Sequence, residues 1–426
     1  MPKIRETGCF LENRFVFRAN GGIFKAVKIL YVHQYFKTPE EGGSIRSYYL
    51  AKGLVQSGHE VTMITSHNEA YQVKKLDGIE VHYLPVKYDN SFGFLRRLFS
   101  FWKFVKLARK EALKLERHDL AYVMTTPLTT GFIATYLKSK INLPYCFEVG
   151  DLWPEAPVKM GIVKNKILQK WLYALEKKFY FEAEKVIALS PAIRNYVEKV
   201  SPNTKVYVIP NMADCDFFEP DYSIGDFSFS NKFQITYCGA IGKANHLEFL
   251  LEVARQSARH HLPIHFNIIG YGSEMDRLAL DAKFLFNVTF FPHAGKEAVR
   301  EILSASDAVY VSFKDVDVLG TGSPNKFFDA LAAGKLSIVN FNGWIKNVVG
   351  RSKCGFYHDP NKPEEFIRKV KVFLDSPELL VRYQRNGRKL AELYYDKNIQ
   401  ITKLLKILNN EYKFEKNESE VYILTA

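Results

Sequence analysis

Cysteine is scarce in this chain of 426 residues, and no long apolar run is present. The five cysteines are odd in number and far apart, and none forms a Cys-x-x-Cys pair. This pattern argues against a structural zinc site or a disulfide framework and favours a reducing compartment. Without a run of about 18 apolar residues we predict no membrane-spanning helix, and the polar start MPKIRETGCF does not resemble a signal peptide. We therefore expect a cytoplasmic protein.

Acidic residues are in the minority. Lys and Arg number 59 against 46 Asp and Glu, which gives a formal charge of +13 and a pI near 9.2. Hydrophobic residues make up 47% and charged residues 25%, so the composition is that of a globular protein and not of a disordered one. At about 100–200 residues per domain, the length predicts two or three domains. The positive excess indicates an anionic partner.

Much of this charge lies between residues 92 and 117, where eight basic residues stand against two glutamates. At about 100° per residue, one face of a helix would carry Phe94, Leu95, Leu98, Phe101, Trp102, Val105, Ala112 and Leu113. Such a helix either lies in a membrane interface or packs on its own sheet with a solvated polar side, and the pattern alone leaves both open. The candidate contacts with an anionic membrane, or with a substrate held at it, are Arg96, Arg97, Phe99, Phe101, Trp102, Lys103 and Lys106. No zinc-finger, helix-turn-helix or RNP-type pattern appears, so we predict no nucleic-acid partner.

Short apolar runs alternate with helix-period segments along most of the chain. Predicted strands cover residues 27–33, 61–65, 79–84, 120–125, 145–149, 186–189 and 206–209, and then 234–237, 265–269, 288–291, 308–312 and 336–339. Strands that alternate with helices imply parallel sheets covered on both faces. The pattern pauses at Pro210-Asn211 and in the polar stretch 223–230. We therefore predict an α/β protein with two doubly wound parallel-sheet units facing each other across a cleft.

Glycine-rich loops follow the predicted strands, which is where open parallel sheets bind ligands. The second unit carries three such loops, YCGAIGKA (237–244), IGYGSE (269–274) and GTGSPNKFFDALAAGK (320–335), and together they predict a nucleotide diphosphate site. The first unit carries GGSIR (42–46), which is not GxGxxG, so a nicotinamide cofactor is disfavoured. The candidate residues for binding this nucleotide ligand are Gly42, Gly43, Arg46, Gly239, Gly242, Lys243, Gly270, Gly272, Ser323, Pro324, Asn325, Lys326 and Asp329.

Individual roles follow from side-chain chemistry. Arg46 and Lys243 would clamp the diphosphate, unless they are surface cations. Ser323 is predicted to cap the helix of the third loop, with Pro324 at its first position. Asp329 would accept hydrogen bonds from ribose hydroxyls, whereas a helix residue such as Lys326 can point either way.

Several motifs resemble the large retaining glycosyltransferase family 4 of the GT-B fold. They are GGSIRSYYLAKGLVQSGHEVTMIT (42–65), FEVGDLWPEAPVKMG (147–161), VIALSPAIRNYV (186–197), VIPNMADCDFF (208–218), YCGAIGKANHLE (237–248), GSPNKFFDALAAGK (322–335) and NGWIKNVV (342–349). The resemblance spans about residues 27–407. The chain is similar in particular to the subgroup that transfers amino sugars such as N-acetylfucosamine in bacterial surface-polysaccharide assembly.

The resemblance implies two Rossmann-like domains, with the nucleotide-sugar donor held mainly by the C-terminal one and the acceptor by the N-terminal one. It also implies that no metal or other cofactor is needed, because lysines and helix N-termini neutralise the leaving diphosphate. Two positions depart from the family pattern. Thr321 replaces the first of two glutamates, although the SPNK-type subgroup generally lacks it, and Gly150 replaces a basic residue, which weakens an expected anionic contact.

Two carboxylates, Asp151 and Glu155, follow a predicted buried strand on the acceptor side. One of them would orient or deprotonate the acceptor hydroxyl, or they would cap the following helix, and the sequence leaves both open. In a retaining front-face transfer the departing phosphate itself can take the proton. The candidate catalytic residues are Asp151, Glu155 and Lys243.

These expectations combine into a retaining, metal-independent glycosyltransferase. It would move an N-acetylated hexosamine or deoxyhexosamine from a UDP-sugar to a polyprenyl-diphosphate-linked saccharide for lipopolysaccharide or capsule, as a peripheral protein on the inner face of the cytoplasmic membrane. A nucleotide-sugar epimerase of the UDP-N-acetylhexosamine 2-epimerase type and a non-catalytic nucleotide-sugar binder are the alternatives. The predicted divisions are an extension (1–26) outside the functional enzyme, an acceptor domain (27–210), a donor domain (211–395), and a helix with a tail (396–426) that returns to the first domain.

Overall fold

The computed structural model describes residues 26–43, 45–89, 92–220, 232–292 and 294–412, which form two sheets. The N-terminal sheet has the strand order β3-β4-β2-β1-β5-β6-β7-β8. Its strands are β1 (Lys28–Val32), β2 (Glu60–His67), β3 (Gln72–Leu76), β4 (Ile79–Pro85), β5 (Leu120–Met124), β6 (Tyr145–Val149), β7 (Lys185–Ala188) and β8 (Val206–Val208). Neighbouring strands pair in parallel, except that β3 runs antiparallel to β4 at the edge.

The C-terminal sheet has six parallel strands in the order β11-β10-β9-β12-β13-β14. They are β9 (Phe233–Cys238), β10 (Ile264–Ile269), β11 (Val288–Phe291), β12 (Ala308–Val311), β13 (Leu336–Val339) and β14 (Gly355–Tyr357). In both sheets the central strands are almost wholly buried, as expected for sheets covered on both faces.

Helices cover both faces of each sheet. In the N-terminal half they are α1 (Arg46–Gln56), α2 (Phe94–Ala112), α3 (Thr130–Ile141), α4 (Glu155–Lys159), α5 (Lys166–Glu182) and α6 (Pro191–Val200). The C-terminal half contains α7 (Glu248–Arg259), α8 (Met275–Asp281), α9 (Lys296–Ser304), α10 (Asn325–Ala332), α11 (Trp344–Arg351), α12 (Pro363–Leu374), α13 (Pro377–Leu390) and α14 (Lys397–Leu408). Short 3-10 and π-helical turns occupy Leu319–Thr321 and Ala391–Tyr395.

Local sequence explains several helix starts. The Asn165 side chain accepts hydrogen bonds from the backbone of the first turn of α5, and Ser190 does the same for α6, where Pro191 occupies the first turn. Ser376 caps α13, which also begins with a proline. These are the residue types that satisfy free N–H groups at helix N-termini.

The last helix returns to the N-terminal sheet. Leu404 and Ile407 of α14 are buried in the core formed by α1 and one face of that sheet. Gly53 of α1 lies directly against Ile401, since an added Cβ would overlap that side chain. The buried Lys185 ammonium donates hydrogen bonds to the Ile407 and Leu408 carbonyls (2.8 and 3.2 Å) at the end of α14. The helix therefore ties the C-terminal half to the N-terminal half.

The predicted fold class is confirmed, because two parallel α/β sheets face each other within one chain. Each strand predicted from an apolar run is present. Two strands lacked a prediction, β3 and β14, because β3 is half-exposed and lysine-bearing and β14 has only three residues. The predicted extension, except Ala26, and the tail beyond Tyr412 lie outside the described residues, as does most of the polar stretch 223–230.

Candidate active site

The loops after the strands of the two sheets meet directly. Ser190, which follows β7, donates a hydrogen bond from Oγ to the Thr321 carbonyl of the C-terminal half (2.6 Å). An added Cβ at Gly295 would lie 3.3 Å from the Glu40 carbonyl oxygen, so the loops after β11 and β1 also touch. The carboxyl ends of both sheets therefore line one interdomain cleft, which is the position that open parallel sheets use for ligands.

Two of the predicted glycine loops are packed against each other by their backbones. Gly270 has a φ of +149°, and a Cβ there would overlap the Gly239 carbonyl oxygen. A Cβ at Gly272 would likewise overlap the Ile241 backbone, while the Ile241 N–H donates to the Tyr271 carbonyl (3.0 Å). Gly270 and Gly272 are thus required for loop packing, whereas an added Cβ at Gly242 would meet no described atom within 4 Å.

Lys326 of α10 places its ammonium under the first of these loops. Its Nζ lies 3.2 Å from the Tyr237 hydroxyl and 3.1 Å from Asn245 Oδ1, and it stands over the Tyr237 ring at 4.5 Å. An added Cβ at Gly239 would lie 3.1 Å from Lys326 Cε. In the described part of the chain no carboxylate forms an ion pair with this ammonium. Burial lowers the pKa of Lys326 to about 8.

The third loop is fixed by four hydrogen bonds from other elements. The Asn211 N–H donates to Ser323 Oγ (3.0 Å), the Asn211 side-chain amide donates to the Ser323 carbonyl, and Trp344 Nε1 donates to the Gly322 carbonyl (2.7 Å). The fourth is the bond from Ser190 already described. Helix α10 begins at Asn325 with Pro324 as its N-cap and no side-chain cap. The predicted capping role of Ser323 is therefore wrong, because its hydroxyl bonds to the interdomain connection instead.

Asp329 lies one turn after Lys326 on the same helix. Burial raises the pKa of Asp329 to about 7, the nearby Lys296 ammonium opposes that shift, and Asp214 adds to it. Lys296, at the start of α9, itself forms an ion pair with Asp214 of the interdomain connection. Asp214 also accepts hydrogen bonds from Lys397 and from the Tyr49 hydroxyl of α1. One polar cluster therefore joins the predicted ribose-binding carboxylate to both halves of the chain.

Arg46 does not lie free in the cleft. Its side chain is buried, donates to both oxygens of the buried Glu148 (3.0 and 3.2 Å), and reaches the Ile209 and Pro210 carbonyls (2.9 and 2.5 Å). The prediction that Arg46 clamps a diphosphate is corrected, because its guanidinium is already committed to these partners. Gly42 and Gly43 just before it adopt positive φ values of 68° and 88°, so they shape the turn into α1.

The two predicted carboxylates on the acceptor side differ in their surroundings. Asp151 follows β6, and its accessible carboxylate lies 3.4 Å from Thr126 Oγ1. Protein surrounds it closely enough that desolvation raises the pKa of Asp151. Glu155, in the first turn of α4, accepts a hydrogen bond from the Tyr173 hydroxyl (2.5 Å) and lies 3.8 Å from Lys159 Nζ. Asp151 is therefore the more available of the two.

Sequence patterns gave no sign of two buried polar groups in the loops after β1 and β5. Gln34 is fully buried, and neither atom of its side-chain amide has a hydrogen-bond partner among the described residues. Thr129 Oγ1 is also buried without one. Gln34 lies two residues beyond Val32, which pairs with Val123 of the neighbouring strand, so both groups lie at adjacent strand ends. Single polar residues in loops carry no periodic signal that would have revealed them.

The structure brings together Gly239, Lys326 and the loop of Gly270, with Asp329 one turn away on α10. Lys243 is exposed on the first loop, and Asn325 is the first residue of α10. Tyr237, Asn245, Lys296 and Asp214 complete this surface and had no prediction. Among the described residues, no group of three or more His, Cys, Asp or Glu side chains is arranged to hold a metal ion.

Helix α2 packs on its sheet and also exposes large apolar side chains. Phe104, Val105, Ala108 and Ala112 are buried in the N-terminal core. Leu95, Phe99 and Trp102 are exposed by 77%, 70% and 42%. The predicted single apolar face is wrong, because Val105 and Ala112 are buried while Leu95 and Trp102 face outward. The helix therefore packs on its own sheet and still exposes apolar side chains that could lie in a membrane interface.

The exposed aromatic residues continue onto two other helices. The Trp102 ring lies 5.1 Å from Phe132 of α3, which lies 6.4 Å from Trp171 of α5, and Ile167 beside it is 80% exposed. We call this surface the basic aromatic face. It consists of Leu95, Phe99, Trp102, Phe132, Ile167 and Trp171, with the exposed cations Arg96, Lys103, Lys106, Lys166 and Lys170.

Two predicted residues belong elsewhere. Arg97 is half-buried and donates to the Phe92 carbonyl (2.8 Å), and Phe101 stacks on Tyr88 at 6.2 Å. Neither therefore projects from the basic aromatic face. None of the described helices has both the length and the apolar character needed to cross a bilayer.

Comparison with known families gives two matches in tandem. Residues 41–212 match the family described as glycosyl transferase 4-like domain, and residues 225–390 match glycosyl transferases group 1. An uncharacterized glycosyltransferase of Methanocaldococcus jannaschii is 24% identical over 273 residues. That match covers 61% of this chain and 66% of the relative, so the chain spans slightly less than two thirds of that protein.

Solved structures resemble the whole fold. Sucrose-phosphate synthase from Thermosynechococcus elongatus matches with a TM-score of 0.71 at 16% identity, covering 91% of this chain and all of that one. Anabaena HepE in complex with UDP-glucose matches with a TM-score of 0.65 at 15% identity, covering 90% of this chain and all of that one. At these identities the likeness establishes the fold. The chain belongs to the glycosyltransferases of the GT-B fold, with a glycosyl transferase 4-like domain followed by a group 1 domain.

Proposed function

We propose that this protein transfers an N-acetylated hexosamine or deoxyhexosamine from a UDP-sugar to a polyprenyl-diphosphate-linked saccharide, with retention of configuration. The reaction takes place at the inner face of the cytoplasmic membrane, during assembly of a lipopolysaccharide or capsule. The family membership of the chain supports glycosyl transfer in general. The sugar, the acceptor and the stereochemistry are our proposal.

The observation that carries the proposal is the Lys326 ammonium, which is half-buried and has no carboxylate partner among the described residues. A partly buried cation without an anionic partner is costly, and an incoming anion removes that cost. The ammonium lies beside Gly239 and one turn before Asp329, at the start of a helix whose N-terminus also attracts negative charge. The site thus combines a phosphate-binding corner with a carboxylate suited to ribose hydroxyls.

The transfer step requires that charge on the leaving diphosphate be neutralised. Lys326 and the exposed Lys243 supply positive charge, and the N–H groups at the start of α10 supply oriented dipoles. We propose that this set suffices without a metal ion. Asp151 orients the acceptor hydroxyl from the opposite wall, and its raised pKa suits a group that accepts a proton, which in a front-face transfer otherwise goes to the leaving phosphate.

Two relatives in fold support a uridine nucleotide. HepE was solved with UDP-glucose, and the E. coli trehalose-6-phosphate enzyme was solved with UDP-2-fluoro glucose. Both hold their donors within the same two-domain architecture. The choice of an amino sugar rests on the sequence resemblance to the amino-sugar transferase subgroup.

The basic aromatic face supports a membrane-bound acceptor. Aromatic and aliphatic side chains beside lysines and arginines are the combination that binds an anionic bilayer interface. The exposed Leu95 and Phe99 lie in the first turns of α2, which directly follow the loop from the carboxyl end of β4. A bilayer on this face would lie beside the cleft, where a lipid-linked acceptor enters.

Incubation with a panel of radiolabelled UDP-sugars, with and without membrane extract, tests this function. We expect label to enter the lipid fraction from one UDP-N-acetylhexosamine or deoxy analogue, and to do so in the presence of EDTA. The test variant is Lys326→Met, which should lose at least 90% of the transfer. Epimerisation of the free donor, or binding of the donor without turnover, would contradict the proposal.

A further inference from the structure

A groove on the outer side of the N-terminal half, between α2 and α3, is separate from the cleft. We propose that this groove holds a single anionic phospholipid, with an acyl chain along its floor and the phosphate between two lysines on its rim. This inference rests on the proposed membrane attachment. It adds a defined lipid site to a surface that would otherwise bind the bilayer without choosing a lipid.

The groove is open to solvent and is lined by both apolar and cationic side chains. Its volume is about 410 Å³. The apolar part of the lining consists of Trp102, Val105, Leu113 and Tyr136. Because it is open along its length, a chain can enter from the side and need not thread through a narrow mouth.

The charged part of the lining is wholly cationic. Lys106, Arg109 and Lys110 line the groove, and no Asp or Glu does. Lys106 and Lys110 are exposed and four residues apart on one helix, so their like charges face the same side and repel each other. Neither has an ion-pair partner in the part of the chain that the structure describes. A phosphate between them would remove that repulsion.

Arg109 forms part of the groove wall. Its guanidinium donates two hydrogen bonds to the Phe132 carbonyl (3.2 and 2.6 Å) and stacks over the Tyr136 ring at 4.7 Å. These contacts hold α2 and α3 at a fixed spacing. The groove is therefore preformed, and a ligand need not pay to open it.

The position of the groove favours a phospholipid over a water-soluble anion. Trp102 belongs both to the groove and to the basic aromatic face, so the groove opens onto the surface that we propose contacts the bilayer. A free phosphate would use the lysines but leave the apolar floor exposed. A lipid uses both, since its phosphate lies at the depth of the lysines and its chain covers the floor.

Calorimetry with a short-chain lipid tests the site without a bilayer. Dihexanoyl phosphatidylglycerol, kept below its micelle concentration, is titrated into the full-length protein. We expect saturable binding of one lipid per chain. Lys106→Gln with Lys110→Gln should weaken binding at least tenfold, and so should Leu113→Trp, which fills the groove from an exposed position. Lys371→Gln with Lys389→Gln, two exposed lysines of the other half, makes the same change in net charge and should leave the affinity unchanged.

Other outcomes would overturn the proposal. Absence of saturable binding, or equal loss in the Lys371 and Lys389 control, would mean that no such site exists. Equal binding of dihexanoyl phosphatidylcholine, or full competition by inorganic phosphate, would remove the anionic phospholipid as the occupant. Tighter binding of farnesyl diphosphate would assign the groove to the acceptor lipid instead. The titration uses neither sugar donor nor acceptor, so its failure is distinct from failure of the transferase assay.

Discussion

At the scale of single residues, the two cations Arg46 and Lys326 have different surroundings. The Arg46 guanidinium and the Glu148 carboxylate neutralise each other, and the remaining donors of Arg46 bind the carbonyls of the interdomain connection. The Lys326 ammonium bonds to a tyrosine hydroxyl and an amide oxygen and lies over the Tyr237 and Phe313 rings, and no carboxylate among the described residues pairs with it. The Arg46–Glu148 pair is therefore part of the fold, as is Lys185, whose ammonium bonds the carbonyls at the end of α14, whereas Lys326 lies at the cleft and is available to a ligand. The residue type alone does not separate these roles, which is why the sequence assigned Arg46 to the donor.

Loss of Arg46 should therefore damage the fold more than the chemistry. Arg46→Met leaves Glu148 buried with the Tyr122 hydroxyl but no cation, which costs about 3–5 kcal/mol of unfolding free energy. Urea denaturation followed by circular dichroism measures this. Arg96→Met, at an exposed position, should change stability by less than about 0.5 kcal/mol. Equal stability of the two variants would refute the structural role of Arg46.

The proposed contact of Asp329 with the ribose should depend on pH. Its pKa is raised to about 7, so the carboxylate gains a proton as the pH falls through 7 and loses one acceptor for the ribose hydroxyls. The advantage in UDP affinity of the wild type over Asp329→Asn should therefore shrink about tenfold from pH 8 to pH 6, a comparison in which the opposite titration of Lys326 cancels. Asp329→Asn should bind UDP about tenfold more weakly at pH 8, but should bind 2′,3′-dideoxy-UDP as the wild type does. If the variant discriminates the two nucleotides as strongly as the wild type, Asp329 does not contact the ribose.

At the scale of elements, apolar runs bounded by loops were enough to predict every parallel strand except the three-residue β14, because a strand buried on both faces is apolar along most of its length. The antiparallel β3 was missed because its half-exposed QVKKL segment lacks that signal. The face of α2 was misassigned because periodicity reports which residues share a side, not which side the sheet covers. The cap of α10 was wrongly assigned to Ser323, because the hydroxyl of this residue bonds to Asn211, which lies far away in sequence.

The packing of two loops through glycine gives a test at this scale. Gly270→Ala should lower stability by roughly 1–3 kcal/mol, because the new methyl group meets the Gly239 backbone at a φ of +149°. The displaced loop should also weaken UDP binding. Gly242→Ala is the matched control, since an added Cβ there meets no described atom within 4 Å. Thermal unfolding of the two variants measures the difference, and a destabilised Gly242→Ala with an intact Gly270→Ala would contradict this reading.

At the scale of the whole molecule, the two halves are joined by polar contacts that no local pattern reveals. Asp214 accepts a hydrogen bond from Tyr49 and forms ion pairs with Lys296 and Lys397, which lie on three different helices. In addition, α14 packs on the first sheet. These contacts fix the two rows of loops relative to each other. The charge excess seen in the sequence divides between this cleft and the basic aromatic face.

Membrane attachment should depend on both parts of that face. Phe99→Ser with Trp171→Ser removes exposed apolar area, and Arg96→Gln with Lys103→Gln removes exposed charge. Each pair should lower cosedimentation with vesicles of 30 mol% phosphatidylglycerol at least fivefold, since anionic lipid contributes about 1 kcal/mol per basic residue. Lys371→Gln with Lys389→Gln should sediment as the wild type does. Unchanged sedimentation of both test pairs would mean that the basic aromatic face does not bind the membrane.

The central claim is that the Lys326 ammonium receives the donor diphosphate. Calorimetry of UDP binding from pH 7 to 9, in buffers of different ionisation enthalpy, tests it most directly. In the protein without ligand, Lys326 has a pKa of about 8 and loses its charge as the pH rises. A bound diphosphate favours the charged form of its ammonium. Wild-type protein should therefore take up protons on binding above pH 8 and lose affinity there, and Lys326→Met should bind at least tenfold more weakly without proton uptake. Equal affinity and equal proton uptake in Lys326→Met would contradict the claim.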